Sequence, residues 1–381
     1  MSYRLSYLSI ALLCASGSAL AQQTDARAIA MGGTGVAGAS YHQASFYNPA
    51  LLTHFNDSDD FALVLPAISA SVADNDELID GIDNLQDALD RLDINPTAAN
   101  SALAKQALTA LDNNSANMKV TLAMAAAMPN NTLPVAIFAR GYLDANVLTT
   151  IDASDIDRLN NNNTDLLSSG SVIAVGVVEA GITIAHAFTL DSVKLSVGAS
   201  PKFQQIETFF YNSSVADFDE DDFDADQYRN KKTQTNIDLG VTAAWENGVV
   251  LGVSAKNLLS KKVPTIQVNG IEYTYDMKPQ YTVAANYHNS WFSANIDAEL
   301  NSHTGFGLQD EVQWLAAGVE FNALNWAQLR LGYRNDLKNN QQNQLTAGLG
   351  LSPFDTLHID LAAVYADKND AGAALSLAFT F

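Results

Sequence analysis

The chain has 381 residues, with 20 basic against 42 acidic side chains, a net charge of −22 and one cysteine. A field of that sign repels nucleic acid, and a lone cysteine, Cys14, excludes a disulfide scaffold, a thiolate metal site and thiol redox chemistry. Mean hydropathy of −0.01 argues against a helical membrane protein but not against a barrel, whose strands alternate apolar and polar residues and average out.

The first element is an apolar stretch over 8–20, behind one basic residue, Arg4, and closing on Ala19-Leu20-Ala21. It reads as a secretory signal over 1–21, cut before Gln22. Leu13 is too large for the residue that precedes a lipidated cysteine, so Cys14 leaves with the signal. No later apolar run approaches the roughly 18 residues of a membrane-crossing helix.

Residues 26–37 are small, Gly-rich and apolar, with Gly32, Gly33 and Gly35, and Ser45-Phe46-Tyr47-Asn48-Pro49-Ala50-Leu51-Leu52 follows. Small residues let a backbone pack in a confined space, and Asn48-Pro49 makes a turn through the Asn side chain and the fixed proline φ. Gly32-Gly33-Thr34-Gly35 is a poor dinucleotide loop, because no strand precedes it and the spacing is wrong.

Period-2 alternation predicts strands near 61–72, 118–128, 135–147, 172–188 and 193–211. It strengthens in the C-terminal half. Over 236–245, Ile237, Leu239, Val241, Ala243 and Trp245 share one face, and Asn236, Asp238, Gly240, Thr242 and Ala244 the other. Glu246-Asn247-Gly248 then turns the chain into 249–258. The same pattern predicts hairpins over 281–300, 315–333 and 345–365, and a last strand over 372–381 with Ala373, Leu375, Leu377, Phe379 and Phe381 on one face. The tally is about fourteen strands, each with an apolar face of about ten residues, the length a tilted strand needs to cross a bilayer.

Short connections at 129–133, 190–192, 246–248, 288–290, 322–325 and 352–355 alternate with long ones at 73–117, 148–171, 212–233, 259–278, 301–311 and 336–343. The alternation holds up to a small final loop at 367–371. Outer-membrane barrels have tight periplasmic turns and long outer loops, whereas a soluble double sheet has no reason for the pattern. Trp245, Tyr281, Tyr287, Phe321, Tyr333 and Tyr365 lie near the ends of apolar faces, where aromatic girdles sit. Asp297, Glu299, Glu320, Arg330, Arg334 and Asp360 fall on the opposite faces and predict a lumen filled by paired charges.

In the first long loop, 77–92 carries leucine and isoleucine at helical spacing, Asn95-Pro96-Thr97 breaks the pattern, and 98–111 reads as a second helix. Both helices are expected to fold over the barrel mouth. Their acidic side, including Asp80, Asp83, Asp87, Asp90 and Asp93, argues against membrane-surface binding. The acidic run 217–226 lacks the glycine and terminal glutamate of a helix-loop-helix calcium site and reads as a solvated outer loop. The histidines are scattered, and no nucleophile elbow, phosphate loop or His-Glu-x-x-His occurs, so neither an enzyme nor a metal or cofactor site is predicted.

At Gly32, Gly33, Gly35 and Asn48-Pro49-Ala50 the sequence resembles the FadL-type family, outer-membrane transporters of long-chain fatty acids and other hydrophobic compounds. Over 26–52 it is most similar to the branch labelled TraF, conjugal-transfer-like proteins distinct from the thioredoxin-like proteins that share the label. The resemblance implies an all-β transmembrane antiparallel barrel of fourteen strands over 59–381, plugged by an N-terminal hatch over 22–58. It also implies a hydrophobic ligand leaving sideways through a wall gap at a kinked strand. If the chain is such a channel, Asn48, Pro49 and Ala50 form the turn of the hatch, and Phe46, Tyr47, Leu51 and Phe55 are the candidate lumen contacts. Two functions follow: passive uptake of a fatty acid or hydrocarbon, or a non-transporting envelope component of a conjugation or secretion apparatus. The outer membrane of a Gram-negative bacterium is the expected location, with its lipid, lipopolysaccharide and barrel-assembly machinery as partners. Leu375, Leu377, Phe379 and Phe381 form a row ending in a terminal aromatic, which resembles the signal that machinery reads.

Overall fold

The computed structural model describes residues 24–74, 77–218, 226–306, 311–323 and 326–381. The signal segment with its cleavage site, and most of the acidic run, lie outside the described residues.

The strands in chain order are β1 (Ala62–Ala73), β2 (Ser115–Met128), β3 (Val135–Thr150), β4 (Ser169–Leu190), β5 (Val193–Ser214), β6 (Arg229–Trp245), β7 (Val249–Lys256) and β8 (Lys261–Pro264). They continue as β9 (Thr274–Met277), β10 (Gln280–His288), β11 (Phe292–Glu299), β12 (Trp314–Ala323), β13 (Ala327–Asp336), β14 (Gln344–Leu351), β15 (Leu357–Asp367) and β16 (Asp370–Thr380). Fourteen of them close into one antiparallel barrel, with β7 beside β10 and β16 paired back onto β1; β8 and β9 form a separate hairpin. Closure leaves no strand edge facing lipid, where unpaired backbone groups find no partner. Past the last ladder pair, the Phe381 N–H donates to the Phe61 carbonyl at 2.8 Å, and the Phe61 N–H donates to the Phe381 carbonyl at 3.1 Å.

The predicted faces sort as a membrane requires. Leu239, Val241, Leu251, Val253, Leu329 and Leu331 remain exposed, while their inward neighbours Asp238, Thr242, Ser254 and Arg330 are buried. A protein surrounded by water would not invert polarity in this way around a whole ring. The wall is irregular in β1, where an extra residue between Val64 and Ala67 shifts the register against both β2 and β16. Pro66 sits in this bulge, and without an N–H it cannot complete the ladder.

Two features differ from the sequence expectation. β4 and β5 run for 22 residues each, about twice a membrane crossing, so they rise well beyond the lipid. There β6 opens with Arg229-Asn230-Lys231-Lys232-Thr233, polar on both faces, so hydrophobic alternation cannot mark a strand that is nevertheless hydrogen-bonded to β5.

The two helices, Leu78–Ile94 and Ala98–Ala110, do form, but they do not cover the mouth. They pack on Ala116, Val147, Val172 and Tyr211. Those four are register partners on one face, whereas Asn117, Asp144 and Asn146 bond one another on the lumen side. The helices therefore shield the outward apolar flank of the wall where it leaves the lipid. The mouth is filled instead by the β8–β9 hairpin, whose Val263 and Met277 pack on inward-facing Tyr142, Val175, Val177 and Ile206.

Candidate functional site

Residues 24–54 form a chain of short helical turns inside the lumen. Such turns leave many backbone groups without intrahelical partners, and each needs one when buried. Inward-facing polar side chains of the wall supply them. The Ala26 N–H donates to Ser376 Oγ at 2.7 Å, and the Gly32 N–H to Thr346 Oγ1 at 2.9 Å. Asp297 Oδ2 accepts from the N–H groups of both Gly35 and Val36 at 2.9 Å. Ser254 Oγ donates to the Tyr47 carbonyl at 2.8 Å, and Lys256 Nζ to the Phe46 carbonyl at 2.5 Å.

The two hatch motifs occupy two seats in the wall. Gly32 and Gly33 have φ of +74° and +86°, a region that side chains rarely enter. The backbone there lies directly against Gly318 and Gly332, which face each other across β12 and β13. A Cβ on Gly332 would collide with the Gly32 nitrogen. The second seat is Gly198 and Gly240, also cross-strand partners, which receive Asn48-Pro49-Ala50. Asn48 Oδ1 accepts from the Ala50 N–H at 3.1 Å, the turn expected from the sequence. Its Nδ2 also donates to the Val36 carbonyl at 2.8 Å and to the wall carbonyls of Val241 and Val253 at 3.3 Å. Asn48 is thus a rivet between hatch and barrel.

An ion-pair ladder ties the hatch to the opposite wall. Arg27 makes two bonds to Glu320, Nε to Oε2 at 2.8 Å and Nη2 to Oε1 at 3.1 Å. Glu320 Oε2 also accepts from Arg330 Nε at 2.6 Å, and Arg330 Nη1 reaches Asp360 at 2.6 Å. Burial works against the Arg27 charge, but Glu320 and Asp360 outweigh it and its pKa is raised. A second buried cluster joins β3 to β6: Arg140 to Glu179 at 2.6 Å, and Lys202 to Glu179 at 3.2 Å and to Asp238 at 2.8 Å. Of the inward charges read from the sequence, Glu320, Arg330 and Asp360 are paired as expected, whereas Asp297 holds the hatch turn at Gly35 and Val36 and Arg334 lies over the Trp314 ring.

His42 of the hatch stacks on His358 of β15, ring centroids 5.9 Å apart. Burial, then His358 and Arg27, hold the His42 pKa down to about 3. His54 is held to about 4 by burial, Lys194 and His288. Released from the wall, each would take a proton near its ordinary value. Docking is thus strongest above about pH 6.5 and weakens as pH falls, by about 1.4 kcal/mol per unit for His42. Asp25 opposes this, since burial raises its pKa despite the hydrogen bonds from Tyr47 and Ala28. Protease cleavage within residues 24–54 is expected to rise between pH 7.5 and pH 5, and to rise less in His42→Gln. Equal cleavage at both values would refute the docking role of these rings.

Above the hatch lie two chambers. The outer one, about 130 Å³, is lined by Lys119, Tyr142, Asp144, Tyr275 and Phe306 among others. The inner one, about 80 Å³, rests on hatch residues Gly33, Val36 and Tyr47 and is walled by Lys256 and Asp297. Gln280, Glu299, Trp314 and Arg334 border both. Between them the Arg334 guanidinium lies 3.8 Å from the Trp314 ring centre.

Of the contacts expected from the sequence, Tyr47 borders the inner chamber. Phe46 packs edge-on against Phe138 at 6.2 Å, beside Val64 and Ala67 of the β1 bulge. Leu51 is buried against Ala62, Ala127 and Ala136, and Phe55 lies against Tyr41. Gly35 sits under the Tyr47 ring. Leu375 and Phe381 are exposed on the outward face, with Leu377 and Phe379 half-buried in the same row. The wall glycines and Arg27 escaped the sequence reading. A signal did exist: Gly198, Gly240, Gly318 and Gly332 stand at inward mid-strand positions, where a glycine weakens a strand unless another backbone approaches.

The chain is thus a closed fourteen-stranded antiparallel barrel with its lumen stoppered by its N-terminal segment. Residues 45–299, about two thirds of the chain, match the family described as F plasmid transfer operon, TraF, protein, and the chain belongs to that family. Among solved structures, it is similar to the Ralstonia pickettii toluene transporter TbuX, with a TM-score of 0.56, 13% identity, and 95% of this chain and 99% of that chain covered. The P. putida toluene transporter TodX gives 0.53 and 12%, covering 95% and 99%. A Pseudomonas aeruginosa FadL homologue gives 0.53 and 9%, covering 94% and 98%. At such identities the likeness is one of fold. No curated protein matches the chain.

Proposed function

We propose that this protein is a passive outer-membrane channel for a small hydrophobic molecule, with residues 24–54 as its closure. The observation that carries this reading is the pair of chambers stacked from the mouth down to the hatch inside the lumen. Their size favours a compact molecule over a long acyl chain. The fold is shared with proteins titled toluene transporters. The irregular stretch of β1 beside Phe46 and Phe138 breaks the ladder to both of its neighbours, and we assign it the sideways exit. The outward row ending in Phe381 is assigned to recognition by the barrel-assembly machinery. Labelled toluene and a labelled fatty acid should enter proteoliposomes holding the protein, toluene faster. Entry equal to that of empty vesicles for both removes the channel.

A second reading is a non-transporting envelope component of a conjugation apparatus. It is favoured by the family match and by a hatch riveted to the wall at two seats. Its test is deletion in a plasmid-bearing strain: an unchanged transfer frequency and no crosslinked partner would dispose of it.

A further inference from the structure

The boundary between the two chambers holds two unusual groups. Arg334 lies flat on Trp314, and both are buried. The Trp314 backbone N–H donates to Glu299 Oε2 at 2.8 Å, which ties the start of β12 to β11, while Arg334 carries its guanidinium at the end of a long side chain with several rotatable bonds. Below them Asp297 is only 7% exposed. Its Oδ2 holds the hatch turn at Gly35 and Val36, but its Oδ1 is buried and accepts no hydrogen bond among the described residues. A buried acceptor left without a donor is costly, and this one borders the inner chamber.

Volume decides what can use it. A single benzene ring is accommodated by a cavity of about 150 Å³. Neither chamber reaches that size alone, but the two joined exceed it. They join where Arg334 covers Trp314, so a ring enters by taking the guanidinium's place on the indole. We propose that Trp314 and Arg334 form a gate to a binding site for a one-ring aromatic molecule that carries a hydrogen-bond donor, the ring on Trp314 and the donor on Asp297 Oδ1. The proposal deepens the channel reading and rests on it for the direction of travel, though not for binding. Because one carboxylate holds both ligand and hatch turn, the occupied site touches the closure directly.

The test is calorimetric titration of the full protein in detergent at pH 7.5 with phenol, toluene and cyclohexanol. Phenol should bind saturably and at least tenfold tighter than toluene, which lacks the donor, or cyclohexanol, which lacks the flat ring. In Asp297→Asn the Gly35 and Val36 N–H groups keep the amide oxygen, which turns the amide NH₂ into the chamber. Preference should then pass from phenol to benzaldehyde, an acceptor, by about tenfold each way. Trp314→Leu spares the hatch contacts and should weaken phenol and toluene alike. No saturable phenol binding, or an unchanged phenol-to-toluene ratio in Asp297→Asn, would overturn the site. Saturable binding with phenol entry into proteoliposomes no faster than into empty vesicles sinks the channel reading and leaves the site standing.

Discussion

Replacing Gly240 with valine should unseat the hatch and leave an open pore in a barrel that still inserts. A side chain there would occupy the space of the Asn48 amide and the Pro49 ring, and neither can retreat. Asn48 is held by four hydrogen bonds reaching Ala50, Val36, Val241 and Val253, and Pro49 is pressed on the neighbouring seat, Gly198. Overpacking a tight contact costs about 1–3 kcal/mol when neighbours can shift. Here the lost Asn48 bonds add to it, at about 1 kcal/mol each. Single-channel recording in planar bilayers is the measurement: the native protein should be silent or small, and Gly240→Val should conduct ions in long-lived openings. The control is Gly141→Val in β3, where the nearest atoms to an added Cβ are 3.8 Å away and ordinary contact results. Matching conductance in both variants would mean that the wall glycines do not hold the hatch.

The second large effect is expected at Glu320. Its carboxylate serves Arg27 from the hatch and Arg330 from the wall together. Glu320→Ala leaves the buried Arg330 guanidinium with Asp360 and takes away the carboxylate bonded to the part-buried Arg27, at a cost of up to about 3–5 kcal/mol, the range for an uncompensated buried charge. Arg27→Ala leaves the Arg330 bonds to Glu320 and Asp360 intact and should cost clearly less. Removing both partners should cost less than the two single losses added, because Glu320→Ala strands the Arg27 charge and the double variant does not. Urea unfolding of the refolded protein, read by protection of residues 24–54 from protease, gives the three values. Strict additivity would show that the Arg27–Glu320 contact carries no coupling.

These two sites show how legibility divides along the chain. All fourteen barrel strands were readable, as were the Leu78–Ile94 and Ala98–Ala110 helices, because period and turn chemistry are local properties of a few consecutive residues. The failures were local as well. The outer ends of β4–β6 carry polar residues on both faces once the strands leave lipid, so no alternation betrays them. The Lys261–Met277 hairpin is too short and too polar to stand out. The apolar face of each helix demands cover without saying which surface supplies it, so the mouth and the outer flank of the wall are indistinguishable from the residues alone.

What the sequence by itself determined is the barrel: inward and outward faces, the alternation of short and long connections, and a Gly-rich motif with Asn48-Pro49-Ala50 that asks for a confined seat. Where that motif sits and what it holds there depend on the closed barrel around it. Gly32 meets Gly332, Asn48 meets Gly240, Arg27 meets Glu320 and Asp297 meets the Gly35 turn. Each partner lies roughly two to three hundred residues away in the chain. Closing the ring of strands sets their register all the way around, and that register puts single inward side chains at one height in the lumen. A period of two says which face a residue takes, but only closure says what it faces.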